Sequence, residues 1–413
     1  MEAGLQHRQD SLRILYLCHR IPYPPNKGDK IRAFHEVRAL GERHEVDVFT
    51  LADDAGDLEN RRALGRYCRE VTVRYLNPKA ARARAIPRLA TRTPLTLPYF
   101  YSRELRGAVR EALGRRSYDR AVVYSSAMFQ YLDAGLGIPI VLDLVDVDSD
   151  KWEQYATFSS WPFSVVYRRE ARTLRAYERR ISEASARVVV TTERERRLAA
   201  EIAPRARIEA IPNGVDGEYF KPAAQPGGVP GVVFTGDMAY YPNAAAVLWF
   251  AEAVWPQVRR GCPEARFYVV GRNPKAKVLR LNGRDGIEVT GFVPDVRDYL
   301  ARARVAVAPF TIAAGIQNKI LEAMAFGLPV AATPRVIGSL APEAAALVVA
   351  ASGAGEFAAN VVELLRNEAA AAERGREGRL RVLEAYRWES ALEGFVEAVE
   401  TAGEGAAAQH ALR

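Results

Sequence analysis

The stretch from Arg304 to Thr333 admits few folds. Arg304-Val305-Ala306-Val307-Ala308-Pro309 predicts a short buried strand stopped by a proline, and Val330-Ala331-Ala332-Thr333 predicts the next strand. Between them Ile320, Leu321, Met324 and Ala325 recur at i, i+1, i+4, i+5, the spacing of one apolar helix face. Gly327 closes that helix and Pro329 keeps it from continuing. A strand–helix–strand unit of this kind points to an α/β architecture. The loop Gly315-Ile316-Gln317 opens the helix, whose N-terminus carries about half a positive charge and free N–H groups, a setting for an anion such as a diphosphate. Lys319 adds a full charge in the first turn. Glu322, one turn in, offers a carboxylate that can accept two hydroxyl hydrogen bonds from a ribose. The same pattern also serves strand–helix–strand units that bind nothing.

The chain of 413 residues favours two or three domains, each able to bury a core. Its 49% hydrophobic and 26% charged residues are the balance of a soluble globular protein. A net charge of +8 favours an acidic partner: nucleic acid, anionic lipid or a phosphorylated substrate. No recognition motif accompanies the charge, so a nucleic-acid partner is not expected. Cys18, Cys68 and Cys262 are far apart, without disulfide or zinc spacing, which fits a reducing compartment. Met1 to Asp10 is polar and is read as a loose leader without an apolar signal segment. No apolar run approaches the roughly 20 residues of a spanning helix, so the expected location is cytoplasmic, with any membrane contact peripheral.

In chain order, Leu12–Leu17 predicts a strand buried on both faces. A basic, proline-rich loop through Asn26, Lys27 and Gly28 follows, then an amphipathic helix over 31–40 and a strand over 45–51. This βαβ opening places the Asn-Lys-Gly loop at a strand's carboxyl end, where open α/β sheets bind ligands; it lacks a G-x-G-x-x-G fingerprint. Residues 52–120 read as helical and arginine-rich. There Arg82, Arg84, Arg88 and Arg92 precede the aromatic Tyr99-Phe100-Tyr101, suited either to an interfacial membrane segment or to a solvated helix face and packed loop. Strands follow at 121–124 and 139–145, the latter ending in Asp146-Val147-Asp148-Ser149-Asp150. These alternating acids suit metal ligands, a base, or a helix N-cap at Asp148 or Ser149. A long helix is expected from Val165 to about Ser185, and a strand at 186–192.

Residues 221–231, rich in proline and glycine, read as the linker. The βα pattern then restarts with a strand at 232–235 and a loop at Gly236-Asp237-Met238. Further strands are expected at 267–270, 287–290 and 346–349, helices over 356–366 and 380–386, a last helix from Glu389 to about Thr401, and a disordered tail. Two βα domains, 1–220 and 232–385, are expected to face a central cleft, with the helix 386–402 packing back on the first.

With both halves read, nearly the whole chain resembles a GT-B glycosyltransferase and is most similar to glycosyltransferase family 4. The resemblance rests on Ile211-Pro212-Asn213-Gly214-Val215-Asp216, Gly271-Arg272-Asn273-Pro274, Thr290-Gly291-Phe292-Val293-Pro294-Asp295 and Glu322-Ala323-Met324-Ala325-Phe326-Gly327-Leu328-Pro329-Val330, in that order. His19-Arg20-Ile21-Pro22-Tyr23-Pro24-Pro25, the Asp146–Trp152 segment, Tyr241-Pro242-Asn243 and Gly315–Lys319 resemble the subgroup associated with bacterial exopolysaccharide and exosortase (PEP-CTERM) systems.

The resemblance implies α/β architecture as two Rossmann-like parallel-sheet domains. It also implies transfer of a sugar, with retention, from a nucleotide diphosphate sugar to a lipid-linked or polysaccharide acceptor, without metal or cofactor. An anionic membrane surface is a further expected partner. Donor contacts are expected at Gly28, Gly236, Arg272, Phe292, Val293, Gly315, Ile316, Gln317 and Glu322; Asp146 and Lys319 are the catalytic candidates. Two departures stand out. Glu322 matches the second glutamate of the family's Glu-x7-Glu motif, but Ala314 occupies the first position, and Gly236–Asn243 lacks the usual arginine and lysine. Asp146 stands where many relatives have histidine. These departures motivate an alternative, a non-catalytic nucleotide-sugar-binding subunit. A nucleotide-sugar 2-epimerase ranks lower, because the chain has only five histidines, two of them in the tails.

Overall fold

The computed structural model describes residues 11–25, 28–133, 135–222, 230–312 and 315–404. The chain forms two compact units: one takes the residues up to Pro212 together with those from Glu389 onward, and the other runs from Asn213 to Trp388. The division falls earlier than the 221–231 linker read from composition. Residues 223–229 lie outside the described residues, as do the leader to Asp10 and the tail from 405. Val215 is already part of the second unit's core, and its N–H donates to the Tyr386 carbonyl at 2.7 Å.

The first unit is built on a seven-stranded parallel sheet: β1 Arg13–Cys18, β2 Glu45–Ala52, β3 Glu70–Tyr75, β4 Arg120–Tyr124, β5 Ile140–Val145, β6 Arg187–Val190 and β7 Ile208–Ala210, in the order β3-β2-β1-β4-β5-β6-β7. Central β1 buries Ile14 to Cys18 completely. Its even-numbered residues meet helix α1 (Gly28–Arg43) and the C-terminal helix Trp388–Glu400 through Val37, Phe395 and Val399. Its odd-numbered residues meet the opposite layer through Leu105, Leu174 and Ile181. Alternation along one strand thus produces the three-layer sandwich. β3 corrects the reading of 52–120 as helical. Val71 and Val73 are buried while Thr72 and Arg74 are half-exposed, a period-two pattern in a short edge strand crowded by arginines.

The second unit has a six-stranded parallel sheet: β8 Gly231–Thr235, β9 Arg266–Val270, β10 Ile287–Gly291, β11 Val305–Ala308, β12 Val330–Ala332 and β13 Val349–Ala350, in the order β10-β9-β8-β11-β12-β13. The expected strand at 346–349 is only the two residues of β13; Ala346 to Val348 instead close a turn, with Val348 donating to the Ala345 carbonyl. Helix α5, named here with its predecessors α2 (Asp148–Thr157), α3 (Phe163–Glu183) and α4 (Tyr241–Trp249), spans Asn318–Ala325. It ends as its sequence predicts. Gly327, at φ +85°, donates to Met324 and Leu328 donates to Ala323, a Schellman closure.

In the first unit, a buried charge network ties α1 to the sheet. Arg32 Nε lies 2.7 Å from Asp143 and 2.9 Å from Glu36, and all three side chains are almost fully buried. Arg32 Nη1 donates to the carbonyl of Ile211, Tyr16 Oη donates to Glu36 at 2.8 Å, and Asp143 accepts from the Val145 N–H. Burial, and then the neighbouring Asp143, hold the Glu36 carboxyl well above its usual range. We predict that Arg32→Met destabilises the first unit by about 3–5 kcal/mol, because it strands buried carboxyl groups. Glu36→Gln should cost far less, and chemical denaturation of the two variants measures the difference.

Candidate functional site

In the second unit the strand order reverses between β8 and β11, and in doubly wound sheets ligands bind outside the carboxyl ends at such a point. β8 ends there in Gly236 and β11 leads toward α5. Lys319, in the first turn of α5, donates from Nζ to Asn243 Oδ1 of α4 at 2.6 Å. The ammonium also lies 4.7 Å from the ring centroid of Phe234 and 4.8 Å from that of Phe310. Asn243 is itself held by donating to the Asp237 carbonyl. Desolvation lowers the Lys319 pKa to about 7, against the pull of Glu322, and desolvation raises Glu322 to about 7 despite Lys319. Both residues are only partly covered.

Glycine is required at the neighbouring strand ends. A Cβ on Gly236 would sit 2.8 Å from Lys319 Nζ, and one on Gly271 would sit 1.8 Å from the Gly236 carbonyl oxygen. Gly315 and Ile316 are buried, and Gln317 stands at the N-cap of α5 without a side-chain capping bond to the helix. Arg272 is committed locally. It pairs with Asp237 at 2.9 Å, Asn273 donates to the same carboxylate, and the Met238 N–H donates to the Arg272 carbonyl. Arg272 therefore knits the loops after β8 and β9 together. Phe292, at the carboxyl end of the edge strand β10, is 74% exposed, while Val293 packs partly on the core.

In the first unit, β4 and β5 end in strained backbone. Ser125 has φ +78° and Val145 φ +64°, conformations that side-chain-bearing residues rarely adopt. Asp146 N–H donates to the Leu144 carbonyl at 2.8 Å, closing a γ-turn about Val145, where the β5–β6 register also shifts. The turn aims Asp146 out of the strand. Thr191 donates to it at 3.2 Å, and burial, then Glu195, raise its carboxyl to about 7. The capping role expected of Asp148 or Ser149 is corrected. The N-cap is Val147, and the leading amides are taken by carboxylates from elsewhere: Glu195 accepts from Val147 at 2.8 Å and Glu178 from Ser149 at 3.1 Å. Asp148 pairs with Lys151, and Asp150 with Gln154 and Arg194. Among the described residues no group of three His, Cys, Asp or Glu side chains is placed to hold a metal ion.

The structure thus brings Lys319, Glu322, Gly236 and the Gly315–Gln317 loop to one switch point. Phe292 and Val293 sit at the edge strand, while Gly28 and Asp146 belong to the other unit. Lys27 and Ala314 lie outside the described residues. Sequence reasoning missed Asn243 as the partner of Lys319, although Tyr241-Pro242-Asn243 had marked the segment, and missed Phe234 and Phe310, which look like ordinary core residues.

This geometry, with two doubly wound parallel sheets in one chain, is that of the GT-B glycosyltransferases. Residues 30–214 match the family model described as "Glycosyl transferase 4-like domain", and residues 229–367 match "Glycosyl transferases group 1". The chain belongs to the glycosyltransferases of this family 4-like GT-B group. A search of curated proteins returns no match. Among solved structures, the fold is similar to a sucrose-phosphate synthase from Thermosynechococcus elongatus (TM-score 0.70, 18% identity, covering 94% of this chain and 98% of that one). It is also similar to Anabaena HepE in complex with UDP and glucose (0.66, 13%, 94% and 100%). WaaG, a glycosyltransferase involved in lipopolysaccharide biosynthesis, is a third such structure (0.63, 15%, 94% and 99%).

The carboxyl of Glu178 yields a pH prediction. Burial lifts it from the usual glutamate range to about 8. The folded state therefore holds a proton that the unfolded state has released, and stability falls as pH rises through that window. Glu178→Gln should be close to neutral at pH 5 and stabilising at pH 9, by up to about 4 kcal/mol; paired thermal melts at the two pH values check this.

Proposed function

We propose that the protein transfers a sugar, with retention of anomeric configuration, from a nucleotide diphosphate sugar to a lipid-linked or polysaccharide acceptor in the synthesis of a bacterial exopolysaccharide or other surface glycan. The observation that carries the donor reading is the placement of both Lys319 and Glu322 on the first turns of α5 at the sheet's switch point. A helix N-terminus not capped by its own N-cap side chain, together with a desolvated ammonium, suits a diphosphate; a carboxylate one turn further suits a ribose. HepE, of similar fold, has been solved with UDP and glucose, which supports a nucleotide sugar as donor.

In the transfer, the anomeric carbon–oxygen bond to the diphosphate breaks, a bond to the acceptor oxygen forms, and the acceptor hydroxyl's proton passes to the departing diphosphate oxygen. The leaving diphosphate takes on charge as that bond breaks. Lys319 and the amides of Gly315 to Gln317 neutralise it, so the reading needs no metal at this point. Glu322 positions the ribose, Phe292 and Val293 offer an apolar surface to the base, and Arg272 acts by holding the loops after β8 and β9. Asp146, aimed by its γ-turn and half-neutral near pH 7, takes an acceptor or sugar hydroxyl. A peripheral location at the membrane belongs to the same proposal, because a lipid-linked acceptor would lie there.

Two measurements test this reading. Release of free nucleoside diphosphate, screened over UDP- and GDP-sugars, should show turnover for one donor. With that donor, Glu322→Gln should weaken nucleoside diphosphate binding roughly tenfold to a hundredfold, the scale of lost charge-assisted hydrogen bonds. Tight binding without turnover by any donor would instead favour the non-catalytic subunit suggested by the absent basic pair in Gly236–Asn243. The Lys319 ammonium supplies the second measurement. Its free-state pKa of about 7 should rise when a diphosphate binds, so binding near pH 7.5 should take up a proton and weaken as pH increases. Isothermal titration calorimetry in buffers of different ionisation enthalpy reads that uptake, and Lys319→Met should abolish it.

A further inference from the structure

We infer that the α2–α3 hairpin of the first unit is a membrane-docking element, whose aromatic tip enters an anionic bilayer while the outer face of α3 lies along the headgroups. The inference rests on the peripheral location proposed above but assigns it to a different surface from the one the sequence suggested. The aromatic run 99–101 is not free. Arg84 donates to the carbonyls of Pro98 and Tyr101, Glu170 accepts from the amides of Leu95 and Thr96, and Tyr131 Oη donates to the Phe100 carbonyl. Tyr99, Phe100 and Tyr101 are accordingly only partly exposed.

The exposed apolar surface is at the hairpin tip. Trp161 is 80% exposed and Phe163 60%, with Phe158 and Val165 beside them in sequence and also exposed. Single exposed apolar residues are ordinary, but four within eight positions of one turn are not. A second exposed apolar segment is tied to the same helix. Arg169 of α3 donates to the carbonyls of Arg88, Thr91 and Thr93, which fastens the 86–93 turn against this helix. That turn exposes Ile86 and Leu89.

Charge complementarity names the occupant. From Val165 the exposed face of α3 continues through Arg168, Arg172 and Arg175, at the three- and four-residue spacing of one helix side. Of the acidic residues of α3, Glu170 and Glu178 are buried facing inward, and Glu183, at the far end, is taken by Arg179 and Arg205. An apolar aromatic tip followed by an exposed arginine stripe matches the profile of a bilayer interface with anionic headgroups. Among the described residues no helix is long and apolar enough to cross a membrane, so insertion would stop at the tip.

The test is co-sedimentation of the full chain with vesicles of phosphatidylcholine containing phosphatidylglycerol, against vesicles of pure phosphatidylcholine. The wild type should prefer the anionic vesicles. A Trp161→Ser/Phe163→Ser variant should lose most binding to both kinds. An Arg168→Gln/Arg172→Gln/Arg175→Gln variant should lose about a hundredfold on the anionic vesicles and little on the neutral ones. Unchanged melting temperature and unchanged nucleoside diphosphate binding in the same variants establish that fold and donor site are intact. Vesicle binding equal in wild type and variants overturns this surface while leaving peripheral location open. Absence of wild-type binding to either vesicle overturns both. A dimer that dissociates on Trp161→Ser, without vesicle binding, assigns the patch to a second copy of the chain instead.

Discussion

The Arg32 guanidinium is the contact on which the first unit's functional end depends. It joins α1 to β5 through Asp143 and reaches the Ile211 carbonyl where the chain leaves the sheet. Asp143 uses its other oxygen to hold the Val145 N–H. That bond sits at the start of the strained γ-turn that directs Asp146 away from the strand. A positive φ at a β-branched residue costs on the order of 1–3 kcal/mol and persists only where the surroundings over-determine it. Here a buried ion network does so, and the strain, the network and the candidate catalytic carboxyl form one structural device.

Two helices that follow strand ends show opposite solutions to the same electrostatic problem. Helix α2 begins after β5, and its leading amides are filled by Glu195 and Glu178 from the protein itself. An added anion there would find those amides already taken. Helix α5 begins after β11 with an N-cap residue that does not cap, and with a desolvated lysine in its first turn. That contrast is the reason the donor proposal is placed on α5 rather than on α2.

Much of the fold was legible in the residues because its rules are local. Buried parallel strands read as short apolar runs, and Gly327-Leu328-Pro329 closes α5 through bonds spanning a few residues. Where expectation and structure part, a longer-range term decided. β3 was hidden because its alternation is brief and surrounded by arginines. The stretch 346–349 looked like a full strand, but only its end reaches the sheet. Asp148 and Ser149 had the composition of caps, yet Glu178, some thirty residues away, took the amide that a local cap would have served.

The class of architecture and the placing of the donor candidates could be read from the residues, since a glycine-opened helix between two buried strands carries Lys319 and Glu322 on its first turns wherever it folds. The state of those groups depends on neighbours that come together only in the fold. The Lys319 pKa is lowered to about 7 by desolvation, in a setting made by Asn243, Phe234 and Phe310, up to 85 residues away in sequence. Arg272 ceases to be a free cation because Asp237 claims it. The aromatics at 99–101 are held in the fold by Arg84 and Tyr131, whereas Phe158, Trp161 and Phe163 stand exposed. Charge state and exposure are set by neighbours that sequence spacing does not reveal.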